Sequence, residues 1–274
     1  MSALNFSINR IAAPRLPFAQ FAALARRLGV TTIEIRNDLP GVEMEDGAPA
    51  RQIGAIASAH GLRIRSINAL QKFDQFDATR AREAGDIIRY AAECGAEAIV
   101  LCPTNSHADS RSADERHTAL VDSLRQLKPL LEAAGLIGLV EPLGFEECAV
   151  RRKSQAVRAI REVQGEATFQ LVHDTFHHHL AGEDLFFPEL TGLVHISGVE
   201  DMQLDAGQMR DGHRVLVGES DRLGNATQIA RLLKAGYAGV ASFEPFAEEI
   251  AAATDIEQRL TTSMAYLRGA VSAT

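Results

Sequence analysis

The feature that most restricts how this chain can fold is a recurring punctuation. An amphipathic segment ends on a glycine, and within one or two residues a short apolar run begins. The pattern recurs at Gly29, Gly61, Gly95, Gly135 and Gly236. A helix that stops and turns back needs a left-handed residue there, which glycine supplies at least steric cost. The runs that read as strands are residues 5–9, 31–36, 63–68, 98–102, 137–141, 169–174, 192–197 and 240–244. Helical periodicity covers residues 17–28, 50–60, 78–94, 113–134, 154–163, 225–235 and 254–267. In the first of these, Phe18, Phe21, Leu24 and Leu28 share one face.

Strands apolar along their length fit a parallel sheet covered by helices. Eight of them alternating with helices predict an α/β fold, a single (β/α)8 TIM barrel over residues 1–274. The competitor, a doubly wound sheet, lacks a glycine-rich phosphate-binding turn after the first strand. The longest loop-rich stretch, residues 198–224, lies between strands seven and eight and is expected to help cover the catalytic mouth of such a barrel.

Composition narrows the partners. With 46% hydrophobic residues the 274-residue chain can bury a large core. A net charge of −8 and no long Lys/Arg run argue against nucleic acid as a ligand. The densest basic cluster, Arg151-Arg152-Lys153, reads as a solvated helix start. Cys94, Cys102 and Cys148 have no paired or metal-finger spacing and fit reduced thiols. No leader pattern or bilayer-length apolar stretch is present, so a soluble, cytoplasmic protein is expected.

Four late strands end on metal-competent side chains: Glu141, Asp174, His195 and Glu244. A parallel barrel delivers such strand ends to one mouth. A single acid there is more often solvated, but three acids packed together without a cation would be costly. Carboxylates with one imidazole suit Mn²⁺, Zn²⁺ or Co²⁺, with Mg²⁺ a poorer match. His173 precedes Asp174 and should face away from the interior as a buried, hydrogen-bonded histidine. Asn9, Arg36, Asn37 and Asn68 fall at early strand ends, where they could bind hydroxyls; capping is equally open for the asparagines. Cys102 lacks a base partner and reads as a small core residue.

The surroundings of these residues, Val140-Glu141-Pro142-Leu143-Gly144, Asp174-Thr175-Phe176-His177-His178-His179, Val194-His195-Ile196-Ser197-Gly198-Val199-Glu200-Asp201 and Phe243-Glu244-Pro245-Phe246, resemble the xylose-isomerase-like TIM-barrel family. Within it the resemblance leans towards the 2-keto-myo-inositol (inosose) isomerases. It spans nearly the whole chain and is strongest from Glu141 onward. It implies Glu141, Asp174, His195 and Glu244 as ligands of one divalent metal, His177 as a contact to a substrate oxygen, and Arg214 as an arginine reaching into the pocket. Val217-Gly218-Glu219-Ser220 departs from the family's usual Pro-Gly-x-Gly. Glu147 stands where some sugar epimerases carry a second acid, in a different motif.

The expected activity is isomerisation of a cyclic polyol ketone by enediolate proton transfer, with Glu141 and Glu244 moving the proton and His177, Arg214, Arg36 and Asn68 holding the substrate. The alternatives are an inosose dehydratase, a ketose 3-epimerase, a hydroxypyruvate-type isomerase and a catalytically silent sugar-binding barrel. The family's apurinic endonucleases need more histidine ligands and a DNA-binding face. A homo-oligomer is compatible with such a barrel.

Overall fold

The structure, a computed structural model, describes residues 4–41 and 43–274. Eight strands run β1 (Asn5–Asn9), β2 (Thr32–Arg36), β3 (Arg63–Gln71), β4 (Ala98–Cys102), β5 (Ile137–Val140), β6 (Phe169–Asp174), β7 (Thr191–Ile196) and β8 (Val240–Phe243). All neighbours are parallel and the order is sequential. β1 pairs with β8, Ser7 opposite Ser242 and Ile8 opposite Phe243, which closes the barrel. The predicted (β/α)8 topology is the observed one.

Around the sheet lie α1 (Phe18–Arg27), α2 (Ala50–Ala59), α3 (Ala78–Cys94), α4 (Ala113–Ala134), α5 (Lys153–Glu162), α6 (Thr175–Ala181), α7 (Asn225–Lys234), α8 (Glu248–Ala251) and α9 (Ile256–Ala273). Local chemistry sets their ends. Asp77 accepts from the Thr79 and Arg80 amides to start α3, and a Ser112/Glu115 capping box starts α4. Gly95 and Gly135, both left-handed, end these helices. Helix α6 falls in none of the segments with helical periodicity. It forms because Asp174 Oδ1 accepts from the Phe176 and His177 amides, and Gly182 stops it after two turns.

Strand alternation splits the core into two shells. One cluster, including Ile8, Ile33, Ile35, Ile99, Leu101, Val140, Leu171, Val194 and Phe243, packs beneath the helices. A second, with Ala98, Val100, Cys102, Leu139, Val172 and Leu193, fills the interior along β4 to β7. The opposite interior wall is not apolar as expected. Ser7, Asn9, Glu34, Arg36, Ser66, Asn68, Ser242 and Glu244 are all buried there on β1, β2, β3 and the end of β8. One half of the barrel interior is therefore hydrocarbon and the other a hydrogen-bonded polar lining.

Candidate metal centre

The same alternation aims the four strand-end residues. Leu139, Val172, Leu193 and Val240 belong to the interior cluster or pack against it, so residues two steps on, Glu141, Asp174, His195 and Ser242, face inward. Glu244 continues the last row. Ligand-capable atoms of Glu141, Asp174, His195 and Glu244 all lie within 4.8 Å of one another, and all four residues are buried. His195 Nδ1 stands 2.8 Å from Glu141 Oε1, 3.1 Å from Glu244 Oε2 and 4.0 Å from Asp174 Oδ2. Asp174 divides its work: Oδ1 caps α6, which leaves Oδ2 facing the cluster.

Arginines brace the carboxylates. Arg214 Nη2 donates to Asp174 Oδ2 at 2.6 Å and to Glu244 Oε2 at 3.0 Å, while its Nε donates to Ser197 Oγ at 2.9 Å. Arg36 Nη1 donates to Glu244 Oε1 at 2.8 Å, and its Nε and Nη2 hold Asp38. Phe246 lies under both guanidiniums, 4.7 Å from that of Arg214 and 5.2 Å from that of Arg36. The loop of residues 198–224 carries Arg214 in: Gly198 bridges Val215, and the Arg214 carbonyl accepts from the Phe246 and Ala247 amides. Phe145, Phe176, Val199 and Met209 pack that loop onto α6.

The electrostatics describe a site that holds positive charge. Burial disfavours the His195 imidazolium, yet Glu244, Glu34 and Glu141 together hold its pKa well above the usual value. Burial would raise the Glu244 carboxyl, but His195, Arg214 and Arg36 push it below the usual carboxylate range. Around His195 the buried carboxylates are those of Glu34, Glu141, Asp174 and Glu244, against the buried guanidiniums of Arg36 and Arg214. With His195 protonated that set carries one excess negative charge; releasing the imidazole proton to free a nitrogen for an ion leaves two, which one divalent cation offsets. The donors and the charge both fit such an ion.

A cavity of about 280 Å³ adjoins the cluster, with Glu141, Glu244, Arg36, Arg214, His177 and Asn68 in its wall. His177, Arg214, Arg36 and Asn68, the four residues expected to hold the substrate, therefore line one space. His177 is buried edge-on to Phe145 and Phe176, and its Nδ1 has no partner among the described residues. Asn68 is turned inward, its amide donating to Glu34 Oε2 at 2.9 Å. Asn9 accepts from the Ile11 amide, which is the capping reading, and its side-chain amide also donates to Glu244 Oε1 at 3.3 Å. Asn37 binds the backbone of Ala69 and is structural. Glu147 lies outside the cluster, 3.6 Å from His107.

Three readings need correction or addition. Cys102 is not merely a core filler: it lines the cavity, and its Sγ is 3.5 Å from Glu141 Oε2. Lys153 does begin α5 but is only 4% exposed. Its Nζ donates to His173 Nδ1 at 2.9 Å and His178 Nδ1 at 2.8 Å, behind β6. His173 Nε2 in turn meets Gln228 Oε1 at 2.9 Å, so His173 is the buried, bonded histidine expected. Sequence gave no cue to these contacts, because the partners lie on separate elements. Glu34 was missed altogether. Its signal was present as a lone acid in the apolar run Thr32-Ile33-Glu34-Ile35, on the same strand face as Arg36.

No helix among the described residues is long and apolar enough to cross a membrane. A comparison with curated protein sequences finds no match. Among solved structures, a xylose isomerase domain-containing protein of Salmonella typhimurium LT2 superposes with a TM-score of 0.89 at 33% identity, covering 96% of this chain and 97% of that one. The IolI protein, solved with a bound zinc atom, gives 0.85 at 22% identity over 98% and 99% of the two chains. D-psicose 3-epimerase of Clostridium cellulolyticum H10, solved with D-tagatose, gives 0.76 at 16% identity over 98% and 99%. Residues 22–270 match the xylose isomerase-like TIM barrel family, and with the closed eight-stranded barrel this establishes that the chain belongs to it.

Proposed function

We propose that this protein is a divalent-metal-dependent isomerase of a cyclic polyol ketone of the inosose type, with Glu141, Asp174, His195 and Glu244 as metal ligands. The observation that carries the reading is the buried charge excess at converging donors, beside a cavity lined by two guanidiniums and a histidine. A volume of about 280 Å³ is at the small end of ligand pockets and suits one polar ring rather than an extended ligand. The motifs around the four residues support the inosose branch, and the zinc atom of the IolI structure supports a bound divalent metal.

A divalent ion bound there would polarise the substrate carbonyl and stabilise negative charge on its oxygen. Glu141 and Glu244 carry the protons: one takes a proton as a carboxylate from the carbon next to the carbonyl, the other in its protonated form gives one to the neighbouring carbon, and both recover their starting states by exchange with solvent. Arg36 and Arg214 hold Glu244 through both its oxygens and present their remaining N–H groups to substrate hydroxyls. His177 orients a substrate oxygen, and Phe246 and Phe145 restrict water.

The test is conversion of a panel of inososes and ketoses with Mn²⁺, Zn²⁺, Co²⁺, Mg²⁺ or no metal, followed by NMR in deuterated water. Metal-dependent inosose isomerisation supports the proposal. An unsaturated dione would instead indicate dehydration, and inversion at a ketose carbon a 3-epimerase. A protein that retains no metal and converts nothing would be a silent sugar-binding barrel.

A further inference from the structure

We infer that Glu34 is a positioning residue for the metal centre: it fixes the proton of His195 on Nε2, so that the Nδ1 lone pair faces the ion. The inference rests on the metal-ligand reading above.

Glu34 is fully buried in the middle of β2. A carboxylate in a closed barrel is costly unless several donors compensate it, and this one is compensated at a single atom. Its Oε2 accepts from His195 Nε2 at 3.1 Å, from Ser66 Oγ at 2.5 Å and from Asn68 Nδ2 at 2.9 Å. The residue stands on the far side of the imidazole from Glu141 and Glu244, which meet Nδ1. It is not part of the group of mutually close ligand atoms.

A neutral imidazole has one N–H and one lone pair. Once an ion engages the Glu141 and Glu244 carboxylates, the full negative charge accepting at Nε2 selects the tautomer that leaves Nδ1 free, and it raises the basicity of that nitrogen. Ser66 and Asn68 keep the accepting oxygen in place. Asn68 thereby links the cavity wall to the imidazole, a role separate from any contact with substrate. A leucine or methionine would fill the same space in a barrel that needed only packing.

The test is zinc binding to protein stripped with chelator, measured by titration calorimetry for wild type, Glu34→Gln and Glu34→Met. Loss of the acceptor in Glu34→Met should weaken binding about 10–100-fold, the usual effect of removing such a partner. Glu34→Gln should lose less, because Ser66 and Asn68 hold its amide oxygen towards His195. Nitrogen-15 NMR of the zinc-loaded wild type should place the His195 proton on Nε2. Zinc binding by Glu34→Met within about twofold of wild type, or a proton on Nδ1, would overturn the inference. If Glu34→Met does not fold, the NMR assignment and the Glu34→Gln titration decide it, a proton on Nε2 with weaker binding supporting and unchanged binding overturning. Failure of wild type to bind any divalent ion would overturn the metal-ligand reading as well, whereas a wild type that binds beside unaffected variants removes only Glu34.

Discussion

Gly144 is where a single methyl group should report on the architecture of the site. An ideal Cβ there would lie 2.1 Å from the His177 carbonyl oxygen, 2.8 Å from Leu180 Cβ and 2.9 Å from the Ala181 nitrogen. These atoms belong to α6, the helix that Asp174 caps and that carries His177. Restoring an ordinary carbon–oxygen contact of about 3.3 Å requires α6 to retreat by about 1 Å. Overpacking of this kind costs ~1–3 kcal/mol. For a chain of this size each kcal/mol lowers the melting temperature by about 2–4 °C, so Gly144→Ala should melt about 2–12 °C below wild type. A 1 Å displacement of a positioning group can cost roughly 10²-fold in rate, so kcat/KM should fall further than stability alone explains. Gly85 provides the contrast. It lies inside α3 with nothing within 4 Å of a Cβ, and alanine there should stabilise by about 0.5–1 kcal/mol. The assay is thermal unfolding with and without zinc, alongside kinetics on whichever substrate is turned over. A Gly144→Ala protein melting within about 1 °C of wild type, with unchanged metal binding, would refute the argument that α6 is seated on that loop.

Glu244→Gln should lower turnover by roughly 10²–10⁴-fold, the range for a general acid–base group; with metal content measured in parallel, surviving turnover would exclude the proton-carrier role. Arg214→Met strips a guanidinium from two buried carboxylates and should destabilise the metal-free protein by about 3–5 kcal/mol. Zinc should then raise the melting temperature more in the variant than in wild type, and equal shifts would count against the charge balance. Lys153 is pushed down to about 7, by burial first and then by Arg231. Unfolded lysine titrates near 10.4, so between about pH 7 and 10 the unfolded state binds the extra proton and stability should rise with pH. Lys153→Met should flatten that slope in denaturant titrations. His178 is held at about 3 by burial and by Lys153, so its contribution is present above about pH 6.5 and fades as pH falls towards 3; His178→Asn should be less acid-sensitive than wild type.

Much of the site was legible because barrel topology converts position along the chain into position in space. Once residues 137–141, 169–174, 192–197 and 240–244 are parallel strands, period-two alternation puts Glu141, Asp174, His195 and Glu244 at one mouth. Arg214 required the resemblance, since nothing in a loop of 27 residues (198–224) says which side chain turns inward. The helix over Thr175–Ala181 escaped notice because two turns are too few for periodicity to show, and its cap is the same aspartate that serves the cluster. Lys153 was misread because a charge run normally stays in water. Only the packing of α5 against β6 reveals two imidazoles waiting for that amine.

The order of strands and helices, the glycine stops and the acids at the strand ends are written in local chemistry, and local chemistry is what a linear sequence records directly. Which half of the barrel interior is polar, how Glu34 meets His195 across 161 positions of sequence and how two arginines share Glu244 are decided by closure of the sheet. These contacts join groups far apart in the chain, and each exists only because burial makes an unpaired charge costly. The sequence supplies the charges one at a time; the closed barrel determines which of them must compensate one another.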